Sequence, residues 1–202
     1  MSTMTTPTRA QVFSVPNQLT AARVVLAVVL FVLITFQLWT WCLVVFAVAA
    51  LTDWLDGYIA RLHNLTSSIG RSFDPLADKV LICGAYIFLL DAGLNHRAGL
   101  TPWMVTLVVG RELVVTSLRT YLENAGSQFG ADWLGKLKMG LQFAAIIAIF
   151  VVLQNEETKW LADWSLYVTW LRDGLIYGML LTTLLSGLQY LWRAALLIRT
   201  DG

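Results

Sequence analysis

Charge is what this sequence has least of. Only 13% of its 202 residues are Asp, Glu, Lys or Arg, about half the share with which a soluble domain covers itself. Hydrophobic residues make up 57% of the chain and its mean hydropathy is +0.67, which excludes an ordinary soluble globule. An excess of one sign is missing too. Fourteen Lys and Arg against 13 Asp and Glu leave a net charge of +1, and that excludes a strongly basic nucleic-acid binder. There are two cysteines, Cys42 and Cys83, each inside an apolar run and without metal-ligand spacing. Neither a disulfide framework nor a zinc site is supported, and both read as small core residues. No repeat, low-complexity tract or Pro/Gly-rich linker interrupts the chain, so residues 1–202 read as a single domain, with 1–15 a polar tail or juxtamembrane segment. Residues 1–11 are polar and Ser/Thr-rich, without the basic stretch, short apolar core and small-residue cleavage site of a leader, so a removable signal peptide is not expected.

What the sequence does have is apolar runs, at about 19–36, 38–50, 80–90, 103–118, 139–153 and 166–197. A membrane span needs about 20 mostly apolar residues, so six spans fit the chain. The second run reaches full length only if its helix continues through 52–61, and the third only if its helix begins near Ser72. The sixth is longer than one span, and Leu171 to Gly174 read as an interfacial turn ahead of its membrane part. The fold expected is all-α: six transmembrane helices in one bundle with a cytoplasm-facing polar cavity.

With alternating spans and a cytoplasmic N-terminus, one side collects Arg9, Arg23, Arg61, Arg71, Lys79, Arg111, Arg119, Lys136, Lys138, Arg193 and Arg199, and the other keeps Arg97, Lys159 and Arg172. That bias places both termini in the cytoplasm. Trp39, Trp41, Trp103, Trp160, Trp164 and Trp170 gather at the far ends, as an aromatic belt does.

Both helix extensions bring carboxylates with them. Asp53, Asp56, Asp74 and Asp78 fall within 26 residues. On helices, Asp53 and Asp56 share a face with Gly57 and Ala60, and Asp74 and Asp78 share a face of the next helix. An Asp at mid-bilayer costs about 2.5–3.5 kcal/mol, so four facing lipid would cost on the order of 10 kcal/mol. They must face a polar cavity or a cation. Carboxylates side by side raise one another's pKa unless compensated, and hard divalent cations with oxygen ligands, Mg²⁺ or Mn²⁺, supply that compensation while bridging to phosphates. Two such ions form the usual clamp for in-line displacement at phosphorus. Gly57 and Ala60 clear a flat surface beside the acids, Gly70 lets backbone approach a ligand, and Arg61 can grip a diphosphate bidentately.

The string Asp53-x2-Asp56-Gly57-x2-Ala60-Arg61-x8-Gly70-x3-Asp74-x3-Asp78 resembles the signature of the CDP-alcohol phosphatidyltransferase family at every defined position. The resemblance implies a six-helix integral membrane enzyme, usually a homodimer, that moves a phosphatidyl group from CDP-diacylglycerol to an alcohol and releases CMP. It further implies that Asp53, Asp56, Asp74 and Asp78 hold two divalent ions, that Asp56, Gly57, Ala60, Arg61, Ser67 and Gly70 bind CDP-diacylglycerol, and that Asp78 is the general base.

Flanking strings point to the acceptor. Pro16 to Thr20 with Arg23, Arg111-Glu112 with Leu118-Arg119, and Leu134 to Lys138 leading to Gln142 resemble the bacterial branch of the family whose acceptor is glycerol 3-phosphate. Thr120-Tyr121 after Arg119 and Met139-Gly140 after Lys138 depart from that branch, where Glu-Trp and threonines are usual. A phosphorylated acceptor fits the cations: Arg111, Arg119, Lys136 and Lys138 read as its phosphate-binding set. Arg23 reads equally as a snorkelling anchor. The resemblance implies an enzyme of the cell inner (cytoplasmic) membrane, in contact with the lipid bilayer and not with nucleic acid. Alternative readings are a cardiolipin, phosphatidylinositol-phosphate or phosphatidylserine synthase and, from another class, a divalent-cation or proton transporter using the Asp cluster.

Overall fold

The computed structural model describes residues 15–63, 70–92, 97–124 and 133–200; side chains at 15–20, 53–63, 70–78, 92, 121–124 and 197–200 lie outside that description. Its elements are α1 (Val15–Thr35), α2 (Trp39–His63), α3 (Gly70–Ala92), α4 (Pro102–Asn124), α5 (Trp133–Thr158), a short 3₁₀ turn (Ala162–Trp164) and α6 (Ser165–Thr200). The described residues are all-helical, without strands. The two helices that needed extending, α2 and α3, run unbroken through the segments carrying the carboxylates. The turn expected at Leu171 to Gly174 does not form: α6 continues straight through it for 36 residues. Gly174 breaks nothing, because a lone helical glycine costs only about 1 kcal/mol and the apolar residues on either side hold the helix.

Every helix is long enough to cross a bilayer. The shortest, α1, has 21 residues, about 32 Å at 1.5 Å per residue against a hydrocarbon core of about 30 Å; α6 reaches about 54 Å. Two stretches, Trp133–Thr158 and Ala162–Leu196, are also apolar enough along their length to qualify as spans among the described residues.

The contacts divide the chain into two compact units, Met1–Ala85 and Tyr86–Gly202. In the first, α1 packs on α2. A tight reversal joins them. Gln37 takes a left-handed φ of 56°, its N–H donates to the Ile34 carbonyl at 2.9 Å and that of Leu38 to Leu33 at 3.0 Å, a Schellman closure that satisfies the last carbonyls of α1. Along α1, Ala27, Leu30 and Ile34 are buried while Val25, Val28, Val32 and Phe36 point outward. Arg23 is among the buried residues and so is not a surface anchor. Trp39 is fully buried and belongs to the core rather than to an aromatic belt, whereas Trp41 is exposed. Cys42 is buried, Cys83 is half-buried, and both are free thiols. Gly84 is required by a close approach: a Cβ there would lie 2.1 Å from Phe31 Cζ.

In the second unit α6 packs on both α4 and α5. The hand-over from α5 turns on Lys159, at φ 53°. Asn155 closes it, its carbonyl accepting from Lys159 N at 2.8 Å and its side-chain oxygen from Leu161 N at 2.7 Å. Just before α4, Gly99 at φ +70° lies against the Arg172 guanidinium, which a Cβ would meet at 2.9 Å. Arg172 in turn donates to the Arg97 carbonyl at 2.6 Å, tying the connection to α6.

Both units keep an apolar core but depart from a water-soluble bundle at their surface. Large apolar side chains such as Val28, Leu113, Trp170, Leu181 and Leu188 lie outside, and Arg23, Glu112, Lys138, Gln142 and Ser186 lie inside. Helix hydroxyls follow the same logic: Thr35, Thr52, Thr106, Thr116 and Thr169 each donate to the carbonyl four residues back, satisfying themselves without water.

Candidate active site

Two groups of polar residues bear on function, one in each unit. The first is the acid signature. Asp53 and Asp56, with Gly57, Ala60 and Arg61, lie in the last half of α2, and Gly70 opens α3, which carries Asp74 and Asp78 in its first nine residues. Helical backbone at these positions puts each acid pair on one face, three and four residues apart. Ser67 lies outside the described residues, as do the side chains of the signature. Among the described residues no cluster of three His, Cys, Asp or Glu is placed to hold a metal; the side chains of the four signature carboxylates lie outside that description. Their donors are oxygen alone, which fits a hard divalent ion.

The second group is built from residues far apart in sequence. Glu112 sits near the middle of α4, is 8% exposed, and gathers three donors. Lys138 of α5, itself 2% exposed, forms an ion pair with Glu112 Oε1. Arg111 reaches round its own helix to bring Nη1 to 3.4 Å from the same oxygen, and Gln142 donates to it at 3.4 Å. Arg111 continues to α6, where Nη2 donates to Ser186 Oγ at 2.9 Å; Ser186 passes its own proton to the Thr183 carbonyl at 3.2 Å. The last turns of α3 join through Tyr86, whose hydroxyl donates to the Gln142 carbonyl at 3.1 Å. Four helices of an apolar bundle are thus pinned by one carboxylate and its partners.

Of the four cations read as the acceptor-phosphate set, the structure brings Arg111 and Lys138 together on Glu112, and leaves Arg119 and Lys136 exposed. Arg111 is nine residues from the start of α4 and 13 from its end, a mid-helix position. Glu112, Gln142 and Ser186 are the residues missed as members of a site. A lone carboxylate inside the apolar run 103–118 was the available signal for Glu112; Ser186 gave none.

An acid signature on two successive helices, in a chain that turns apolar side chains outward, defines a helical, membrane-type enzyme that works on phosphate groups. The chain belongs to the CDP-alcohol phosphatidyltransferase family, whose model matches residues 13–195; it is therefore a transferase, of a family that generally uses divalent metal ions. Among curated relatives, a protein of Bacillus subtilis is 34% identical over 155 residues, covering 69% of this chain and 77% of its own length. Proteins of Escherichia coli and Shigella flexneri are each 32% identical over 191 residues, covering 89% of this chain and 93% of theirs. All three are named CDP-diacylglycerol–glycerol-3-phosphate 3-phosphatidyltransferase.

Proposed function

We propose that this chain transfers the phosphatidyl group of CDP-diacylglycerol to the 1-hydroxyl of sn-glycerol 3-phosphate, giving phosphatidylglycerophosphate and CMP. The observation that carries this reading is the complete acid signature on α2 and α3 in a chain 32–34% identical to enzymes named for that reaction. The six helices cross the inner membrane as one domain, with both termini, the polar cavity and the chemistry on the cytoplasmic side, and the enzyme acts as a homodimer. Residue lengths and the distribution of Lys and Arg support that arrangement.

Asp53, Asp56, Asp74 and Asp78 hold two divalent ions, Mg²⁺ or Mn²⁺. When bound, these ions supply positive charge against the diphosphate and the departing CMP. Gly57, Ala60, Ser67 and Gly70 leave room for the cytidine diphosphate, and Arg61 binds its phosphates in bidentate fashion. Asp78 takes the proton of the acceptor hydroxyl. The freed oxygen bonds to the β-phosphorus as the bond from that phosphorus to the bridging oxygen breaks, and the electron pair leaves on CMP. Arg111, Arg119, Lys136 and Lys138 bind the phosphate of the acceptor, whose correct placement accounts for much of the rate in a two-substrate displacement.

The test is release of CMP by the purified, detergent-solubilised chain supplied with CDP-diacylglycerol, Mg²⁺ or Mn²⁺, and each acceptor in turn. Turnover with glycerol 3-phosphate is the expected result. Turnover with serine, inositol phosphate or phosphatidylglycerol alone would replace the acceptor and keep the chemistry, and no CMP with any acceptor would refute the reading. Near-normal CMP release by Asp78→Asn would remove Asp78 as the base.

A further inference from the structure

We infer that Glu112 is a positioning residue for the acceptor: its buried carboxylate fixes Arg111 and Lys138 in the orientation that receives the acceptor's phosphate. This rests on the proposed role of those two cations.

The geometry is lopsided in an informative way. Glu112 Oε1 takes Lys138, Arg111 Nη1 and Gln142 together. Oε2 has Arg111 Nη1 at 3.5 Å. Two cations therefore meet at one carboxylate, with the Lys138 side chain 2% and the Arg111 side chain 12% exposed. Arg111 also retains a buried Nε–H without a hydrogen-bond partner among the described residues, a donor left over after Glu112 and Ser186 have been served. A phosphate dianion supplies the acceptor oxygens that such a donor lacks.

Glu112 is what keeps the two cations available for it. Lysine and arginine chains are long and lose much rotamer freedom when fixed. Here that ordering is done before the ligand comes: Lys138 by Glu112, and Arg111 by Glu112 on one side and Ser186 on the other. Gln142 holds the carboxylate itself, and Tyr86 donates to the backbone of Gln142. Without the carboxylate, both side chains lose the group that orders them.

The experiment is steady-state kinetics of Glu112→Gln and Glu112→Asp in the full-length, detergent-solubilised enzyme, with each substrate varied separately. Glu112→Gln is expected to raise KM for glycerol 3-phosphate about 30-fold while KM for CDP-diacylglycerol stays within about threefold. Glu112→Asp, which keeps the charge, is expected to bring KM for glycerol 3-phosphate back to within about fivefold of the parent. A purely structural role would lower the fraction of active enzyme, which reduces the maximal rate and moves neither KM. An unchanged or lower KM for glycerol 3-phosphate overturns the inference, a lower one because the carboxylate would then be competing with the phosphate. Equal rises in both KM values overturn it too. If the glutamine variant does not fold, the aspartate variant alone decides, since retracting the carboxylate by one methylene must still raise KM for glycerol 3-phosphate selectively. Arg111→Gln and Lys138→Gln separate this inference from the reading beneath it. If they leave KM for glycerol 3-phosphate untouched, the acceptor site itself is wrong; if they raise it and Glu112→Gln does not, only the positioning role falls.

Discussion

The two polar regions of this protein are opposites in charge and in construction. The α2–α3 signature concentrates four carboxylates with two arginines inside 26 residues; the cluster around Glu112 sets two cations on one carboxylate and draws on α3, α4, α5 and α6. The acid-rich region is the one proposed above to take divalent cations, and the other the one proposed to take the acceptor's phosphate. Charged groups inside a bilayer are costly enough that each asks for a reason. They differ in what removal of an acid should do: relieve repulsion in the first region, and strand buried cations in the second.

The largest effect tests that contrast in activity. Asp74→Asn or chelation of divalent ions should reduce CMP release by at least about 10³-fold, while thermal unfolding of Asp74→Asn in detergent stays level or rises. A fall in stability would make the signature structural. Next, Glu112→Gln strands Lys138 and Arg111 and should cost about 3–5 kcal/mol, and adding Lys138→Met, which removes one of the stranded cations, should recover part of that loss. Chemical denaturation in detergent measures both, and additive losses would show that the pair does not act as a unit. Packing comes third. Gly84→Ala drives a methyl into Phe31 and should cost about 1–3 kcal/mol, with Phe31→Leu in the same chain restoring part of it. The smallest effect is expected where charge is exposed: Arg97 and Glu156 pair at 2.6 Å with side chains 29% and 40% exposed, and Arg97→Gln should change stability by less than about 1 kcal/mol.

The sequence made these regions unequally legible. Asp53 to Asp78 could be read because helical spacing puts local residues on shared faces, and because costly residues inside apolar runs demand a reason. The extension of α2 and α3 followed from the length a span requires and agrees with the structure. Beyond the neighbours Arg111 and Glu112, the Glu112 cluster joins residues 26 to 75 positions apart, and no pattern along the chain reports such pairing. Local signs also misled. Trp39 was read by its company at a helix end, but the Schellman reversal at Gln37 turns it inward to the core. The turn read at Leu171 to Gly174 was an equally weak sign, since packing along α6 overrides the glycine's own preference. Glycine itself is no guide to close packing: a Cβ at Gly84 would meet Phe31, while nothing lies within 4 Å of one at Gly110.

The 36 residues of α6 carry one more consequence. Even at the steep end of observed tilts, roughly 40°, a helix of about 54 Å still stands about 41 Å tall, roughly 11 Å more than the hydrocarbon it would cross. Its first turns, with Tyr167 and Trp170 exposed, therefore have length to spare at the boundary between lipid and water. Such a helix can suit thin and thick membranes alike by changing which turn sits at the interface, leaving the depth of Ser186 and its arginine partner to be set by the bundle rather than by the lipid.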